Sequence, residues 1–146
     1  MSTPQTTDVS QPALSAGKPL RIGIWLAQAA AGGLFCMAGI MKLTTPIPEL
    51  SAMMPWTGDL SPTFVRLIGL IDLAGGLGLI LPSLTRILPG LTVIAALCCI
   101  VLQILAAGFH GYRGEFDVLP LNALLLGLSV FIFWARAKKA PIAPRS

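Results

Sequence analysis

Charge is scarce in this sequence. Only 11% of its 146 residues are Asp, Glu, Lys or Arg, against roughly 25% in soluble domains. With 55% hydrophobic residues and a mean hydropathy of +0.81, the shortage excludes an ordinary soluble domain. Histidine occurs once, at position 110, and cysteine three times, at 36, 98 and 99, with no Cys-x-x-Cys pair. That inventory offers no zinc or haem ligand set, so no metal is expected. The cysteines fall inside apolar runs, where a thiol packs as a small hydrophobe. Basic patches interleaved with aromatics are also missing, so the net charge of +4 does not point to nucleic acid. The basic residues sit at the ends of apolar runs, where they set topology in a lipid bilayer.

What is present is four long apolar runs. Residues 22–41, 63–81, 87–107 and 119–135 are each long enough, or nearly so, to cross a core of roughly 30 Å at 1.5 Å per residue. The predicted fold is therefore an all-α integral membrane protein, a four-helix transmembrane bundle occupying residues 20–138. Residues 1–19, rich in Ser, Thr, Gln and Pro, read as a disordered tail, and 139–146 as a second tail. A signal peptide is the rival reading of the first run. The run continues well past Ala27-Gln28-Ala29, which favours an uncleaved anchor, and bulky Phe35 before Cys36 argues against a lipoprotein site. Ser61-Pro62 has the form of a helix N-cap followed by proline at the first position, and Pro82 is expected to end that helix. Gly108 to Val118 reads as the turn before the fourth span.

Seven of the ten basic residues (Lys18, Arg21, Arg86, Arg136, Lys138, Lys139 and Arg145) flank one side; Lys42, Arg66 and Arg113 flank the other. The positive-inside rule then places both termini in the cytoplasm. Trp25 and Trp134 fall at the inner interface, and Trp56 and Tyr112 at the outer one.

The most unusual stretch is Ile68 to Pro82. It carries Asp72 near its middle, with Gly69, Gly75 and Gly76 beside it on the helical wheel. An acid at that depth costs about 2.5–3.5 kcal/mol on insertion scales. Together with Gly32 and Gly39 of the first span, these glycines mark faces where helices approach closely. Arg66 lies on a different face from Asp72 and is expected to snorkel to the headgroups. Counting rise per residue puts Asp72 about 13 Å, Gln103 about 10 Å and Asn122 about 6 Å below the outer surface, with Lys42 and His110 at the rim. These five residues suggest an outward-opening pocket. Asp72 is either protonated and hydrogen-bonded to Gln103 or ion-paired with Lys42. The inner half offers little polarity besides Gln28 and Ser129.

The segments Gly39-Ile40-Met41-Lys42-Leu43, Ile68 to Pro82 and Ala106-Ala107-Gly108-Phe109-His110 resemble the DoxX-like family over about residues 22–135. The resemblance implies a bacterial inner-membrane four-helix protein, with Lys42, the acid at 72 and His110 as the family's polar positions. Many members have Glu where this chain has Asp72, and the thiol pair of disulfide-handling members is missing here. It also implies association with membrane redox assemblies. The leading expectation is accordingly an accessory or redox-associated subunit that binds a small lipophilic molecule, a quinone being one candidate. Its expected partners are the lipid bilayer, a membrane oxidoreductase subunit or a second copy of itself. Two alternatives stand beside it: a membrane enzyme with Asp72 as acid/base and His110 as proton relay, and a scaffold whose polar residues only clasp helices.

Overall fold

The computed structural model describes residues 16–146; most of the stretch read as a disordered tail lies outside them. Four long helices carry the fold: α1 (Lys18–Thr44), α4 (Pro62–Thr85), α5 (Leu91–Arg113) and α6 (Leu119–Trp134). Two short helices, α2 (Ile47–Met53) and α3 (Trp56–Asp59), fill the α1–α4 connection, and a π-helical turn (Ala135–Lys139) extends α6. Each long segment is apolar enough to cross a membrane. Around the bundle the order is α1, α4, α5, α6, with α6 closing back onto α1. The start of α1 and the C-terminus therefore lie at one end, and the α1–α4 and α5–α6 connections at the other.

Three of the long helices end or begin away from their apolar runs. Helix α1 continues to Thr44, because Arg66 caps its C-terminus. The guanidinium donates to the Lys42 carbonyl and, at 2.8 Å, to that of Thr45. Arg66 thus holds a helix end instead of snorkelling to headgroups. Helix α4 runs through Pro82 to Thr85. The proline forfeits one hydrogen bond, a loss transmembrane helices tolerate, and the helix ends only at Arg86, in the left-handed region at φ 61°. Helix α5 starts later than its apolar run and continues through Gly108 and Gly111 to Arg113. His110 is therefore helical, not in a turn. The expected start of α4 is met: Ser61 Oγ accepts the Phe64 N–H at 3.2 Å, with Pro62 at the first position.

All four long helices contribute to the central core, with Ala27, Ala31 and Phe35 from α1, Leu79 from α4, Ala96 and Cys99 from α5, and Leu125 and Ile132 from α6. Leucines and isoleucines such as Leu26, Ile40, Leu70, Leu105 and Leu124 cover the outside, as a lipid solvent requires. The closest approach is between α1 and α4, where antiparallel packing sets Gly39 on Gly69 and Gly32 on Gly76. A methyl on Gly39 would fall 2.6 Å from the Leu73 nitrogen, and one on Gly76 would fall 2.6 Å from the Gly32 carbonyl oxygen. Gly75 points the other way, onto Cys99 of α5. Glycines seven residues apart on each helix thus make a two-point backbone seam.

Candidate functional site

Lys42 and Asp72 form one buried pair, with Nζ 2.8 Å from Oδ2 and both side chains under 10% exposed. Of the two states open for Asp72, the structure shows the partnership with lysine. Two features bring them together. The extra turn of α1 moves Lys42 away from the rim. Gly69 leaves the space its stem crosses, since a methyl there would meet the Lys42 Cβ at 2.8 Å. A charge-assisted hydrogen bond in this setting is strong, and it clamps α1 on α4 beside the glycine seam.

Gln103 and Asn122 are buried at 6% and 8% exposure. The Gln103 side-chain oxygen has no partner among the described residues, so it does not complete the Asp72 site. The Asn122 amide, turned so that both its atoms are satisfied, donates to the Val118 carbonyl at 3.0 Å and accepts from the Ala107 N–H at 3.3 Å. It locks the start of α6 to α5. The outer polar residues thus divide: a clamp at Lys42–Asp72, a lock at Asn122, and His110 in a separate setting.

That setting follows from how α5 ends. Gly114 takes the left-handed conformation at φ 76°. The Glu115 N–H returns to the His110 carbonyl at 2.9 Å and the Gly114 N–H to that of Gly111 at 3.2 Å, the pattern of a Schellman cap. The reversal folds Glu115 back over the helix end. One carboxylate oxygen meets His110 Nδ1 at 2.6 Å and the other Arg113 Nε at 2.8 Å, while Arg113 Nη2 reaches Asp59 of α3 at 2.6 Å. Trp56 is 8% exposed. Its ring packs edge-on against Phe109 and His110, with centroids at 6.1 and 6.5 Å.

Beneath this cluster lies a groove of about 530 Å³ between α4 and α5. Its walls are Leu60, Ser61, Phe64 and Ile68 on one side, Leu102, Leu105, Ala106 and Phe109 on the other, with Trp56 and His110 closing one end. Lys42, Asp72, Gln103 and Asn122 do not line it. His110 Nε2 makes no hydrogen bond to a described residue.

The termini end holds a buried polar cluster that sequence reasoning missed. Arg136, counted as a topology residue, is 5% exposed. Its guanidinium donates twice to Gln28 Oε1, at 2.8 Å from Nε, and once to the Ala140 carbonyl at 3.2 Å, and it lies 5.0 Å over the Trp25 ring. Gln28 passes the chain on by donating to the Leu79 carbonyl. The available signal was the pairing of an intramembrane Gln with an Arg that follows the last span directly.

A family model described as the DoxX-like family matches residues 25–132, from the first turns of α1 almost to the end of α6. The chain belongs to the DoxX-like family. No curated protein and no solved structure matches it. It is a multi-pass membrane protein, and in this DoxX-like chain the distinctive chemistry at the loop end is the His110–Glu115–Arg113–Asp59 network.

Burial would raise the Glu115 carboxyl above its ordinary value of 4.5, but the hydrogen bonds from His110 and Arg113, and their charges, outweigh it and hold the carboxyl below that value. A carboxylate depressed in the folded state adds stability above the unfolded value and loses it as pH falls through the folded one. Acidification below about pH 4.5 should therefore loosen the loop end. Thermal unfolding in detergent from pH 7 to pH 3 should show wild type losing about 1 kcal/mol more than Glu115→Gln. Parallel curves would show that the network adds no stability through this charge.

Proposed function

We propose that this DoxX-like protein binds a lipophilic ring compound with hydrogen-bonding oxygens, such as a quinone, in the α4–α5 groove, with His110 as the polar contact. The observation that carries this reading is the combination of an apolar groove and a single oriented imidazole at its end. Ligand pockets of this size are commonly apolar with a few placed polar groups. Ionised Glu115 can only accept, so Nδ1 carries the proton it shares. The neutral ring then offers Nε2 as acceptor to a quinol hydroxyl, and the protonated ring offers it as donor to a quinone carbonyl. Phe64, Phe109 and Trp56 supply flat surfaces for stacking. The Lys42–Asp72 pair serves as the clamp that holds α4 in place as one wall of the groove. A role beside a membrane oxidoreductase in the bacterial inner membrane, with the termini in the cytoplasm, draws its support from the family resemblance and the charge distribution.

The test is titration of the full chain in detergent with a short-chain quinone, read by quenching of Trp56 in a Trp25→Phe, Trp134→Phe background. Saturable quenching is expected. His110→Ala should weaken it roughly tenfold, the loss of one hydrogen bond, and Ala106→Phe, which fills the groove without adding a second tryptophan, should abolish it. Unsaturable quenching, or quenching unchanged in both variants, would refute the assignment.

A further inference from the structure

Arg136 is a buried cation with no acidic side chain paired to it among the described residues. Its three protein bonds go to neutral acceptors, Gln28 and the Ala140 carbonyl. That leaves two of its five N–H groups without a protein acceptor among the described residues. The acids among those residues, Glu49, Asp59, Asp72, Glu115 and Asp117, lie in α2, α3, mid-α4 or the α5–α6 turn. Among the described residues, the charged side chains at the termini end are all cations: Lys18, Arg21, Arg86, Lys138, Lys139 and Arg145 besides Arg136. An uncompensated buried charge is costly, and here its own neighbours add repulsion.

Beside the guanidinium is a second cavity, of about 350 Å³, lined by Ser83, Gly90, Val93, Arg136, Pro141 and Ile142. The walls contribute no charge other than Arg136. The C-terminal tail forms one side of it. That tail is tied down where the Arg145 N–H meets the Arg86 carbonyl at 2.9 Å and Arg86 Nε meets the Ala143 carbonyl at 3.1 Å. Trp25 and Trp134, each with a cation over its ring, place this level at the membrane interface. The cavity therefore opens at headgroup depth, next to a positive charge that no acidic side chain among the described residues balances.

We propose that this cavity binds a phosphate anion, presented by the headgroup of an anionic phospholipid in the adjoining leaflet, with Arg136 as its principal ligand. Basic pockets between transmembrane helices are suited to such headgroups, and the planar guanidinium can direct two parallel N–H groups at phosphate oxygens. The bond to Gln28 and the stacking on Trp25 hold the group in place, so little ordering is needed on binding.

Native mass spectrometry of the full chain in detergent tests this with phosphatidylglycerol, phosphatidylcholine and inorganic phosphate as probes. Phosphatidylglycerol should bind wild type roughly tenfold more tightly than it binds Arg136→Gln, and more tightly than phosphatidylcholine binds wild type. Val93→Phe, which narrows the cavity while leaving Arg136 and its Gln28 bonds in place, should weaken binding comparably and decides the matter if Arg136→Gln fails to fold. Arg136-dependent binding of inorganic phosphate without phosphatidylglycerol would keep the anion site and assign it to free phosphate. Equal binding of phosphatidylglycerol by wild type and Val93→Phe, or no preference over phosphatidylcholine in the absence of phosphate binding, would overturn the proposal.

Discussion

Replacing Asp72 by Ala should destabilise the protein by about 3–5 kcal/mol, the range seen when one partner of a buried ion pair is removed. The Lys42 side chain is only 9% exposed, and its sole hydrogen-bond partner among the described residues is Asp72. Without the carboxylate the ammonium must either remain bare or withdraw along α1, and its stem is confined over Gly69. The double variant Lys42→Met, Asp72→Ala should recover much of the loss, because it removes the orphaned charge and leaves apolar surface. Reversible unfolding of the four proteins in detergent gives the coupling energy directly. A cost below about 1 kcal/mol for Asp72→Ala would mean that solvent satisfies the lysine and that the pair does not clamp α1 on α4.

The second large effect is expected at the glycine seam. A methyl on Gly76 would lie 2.6 Å from the Gly32 carbonyl oxygen and 2.7 Å from the Cys36 nitrogen. Both are backbone atoms, so no rotamer change relieves the clash and the helices must separate. Gly76→Leu should therefore cost at least 3 kcal/mol, the upper end of overpacking penalties or beyond. The separation also pulls Lys42 from Asp72, so the stabilities of Gly76→Leu and Asp72→Ala should not add. Gly33 and Gly127 meet nothing within 4 Å of a methyl and face outward. Gly33→Leu and Gly127→Leu should stay within about 0.5 kcal/mol of wild type. Equal effects at Gly76 and Gly127 would contradict the seam.

Much of the architecture was readable before any coordinates, since bilayer thickness and apolar run length leave few choices. The glycine face around Asp72 pointed to a close helix neighbour, and Gly32, Gly39, Gly69 and Gly76 do form that contact. The apolar run ends at Met41 and so leaves Lys42 at the rim; the Arg66 cap on the longer helix is a contact between elements and leaves no local trace. Gly108 and Gly111 read as turn residues, yet both sit in open space within α5, where glycine is merely a weak helix former. The real stop is Gly114, and only the reversal there puts Glu115 on His110. Arg136 was hidden for a different reason. A basic residue after a span looks the same whether it marks topology or turns inward, and only the tertiary contact with Gln28 distinguishes the two.

The site changed more than the fold. One pocket around Lys42, Asp72, Gln103, His110 and Asn122 became a clamp, a lock and a groove, because depth along the bilayer fixes a residue's level but not the helix pair it faces. Asp72 and His110 both lie in the loop-end half of the bundle, yet they belong to different helix interfaces.

Photolabelling tests the groove most directly. An aryl-azide quinone irradiated with the full chain in proteoliposomes should attach to residues 61–68 of α4 and 102–110 of α5, and excess unlabelled quinone should suppress it. Ala106→Trp should remove the label while helix content and melting remain unchanged. Labelling spread over the lipid-facing sides of all four long helices, insensitive to competitor and to Ala106→Trp, would contradict a ligand site between α4 and α5.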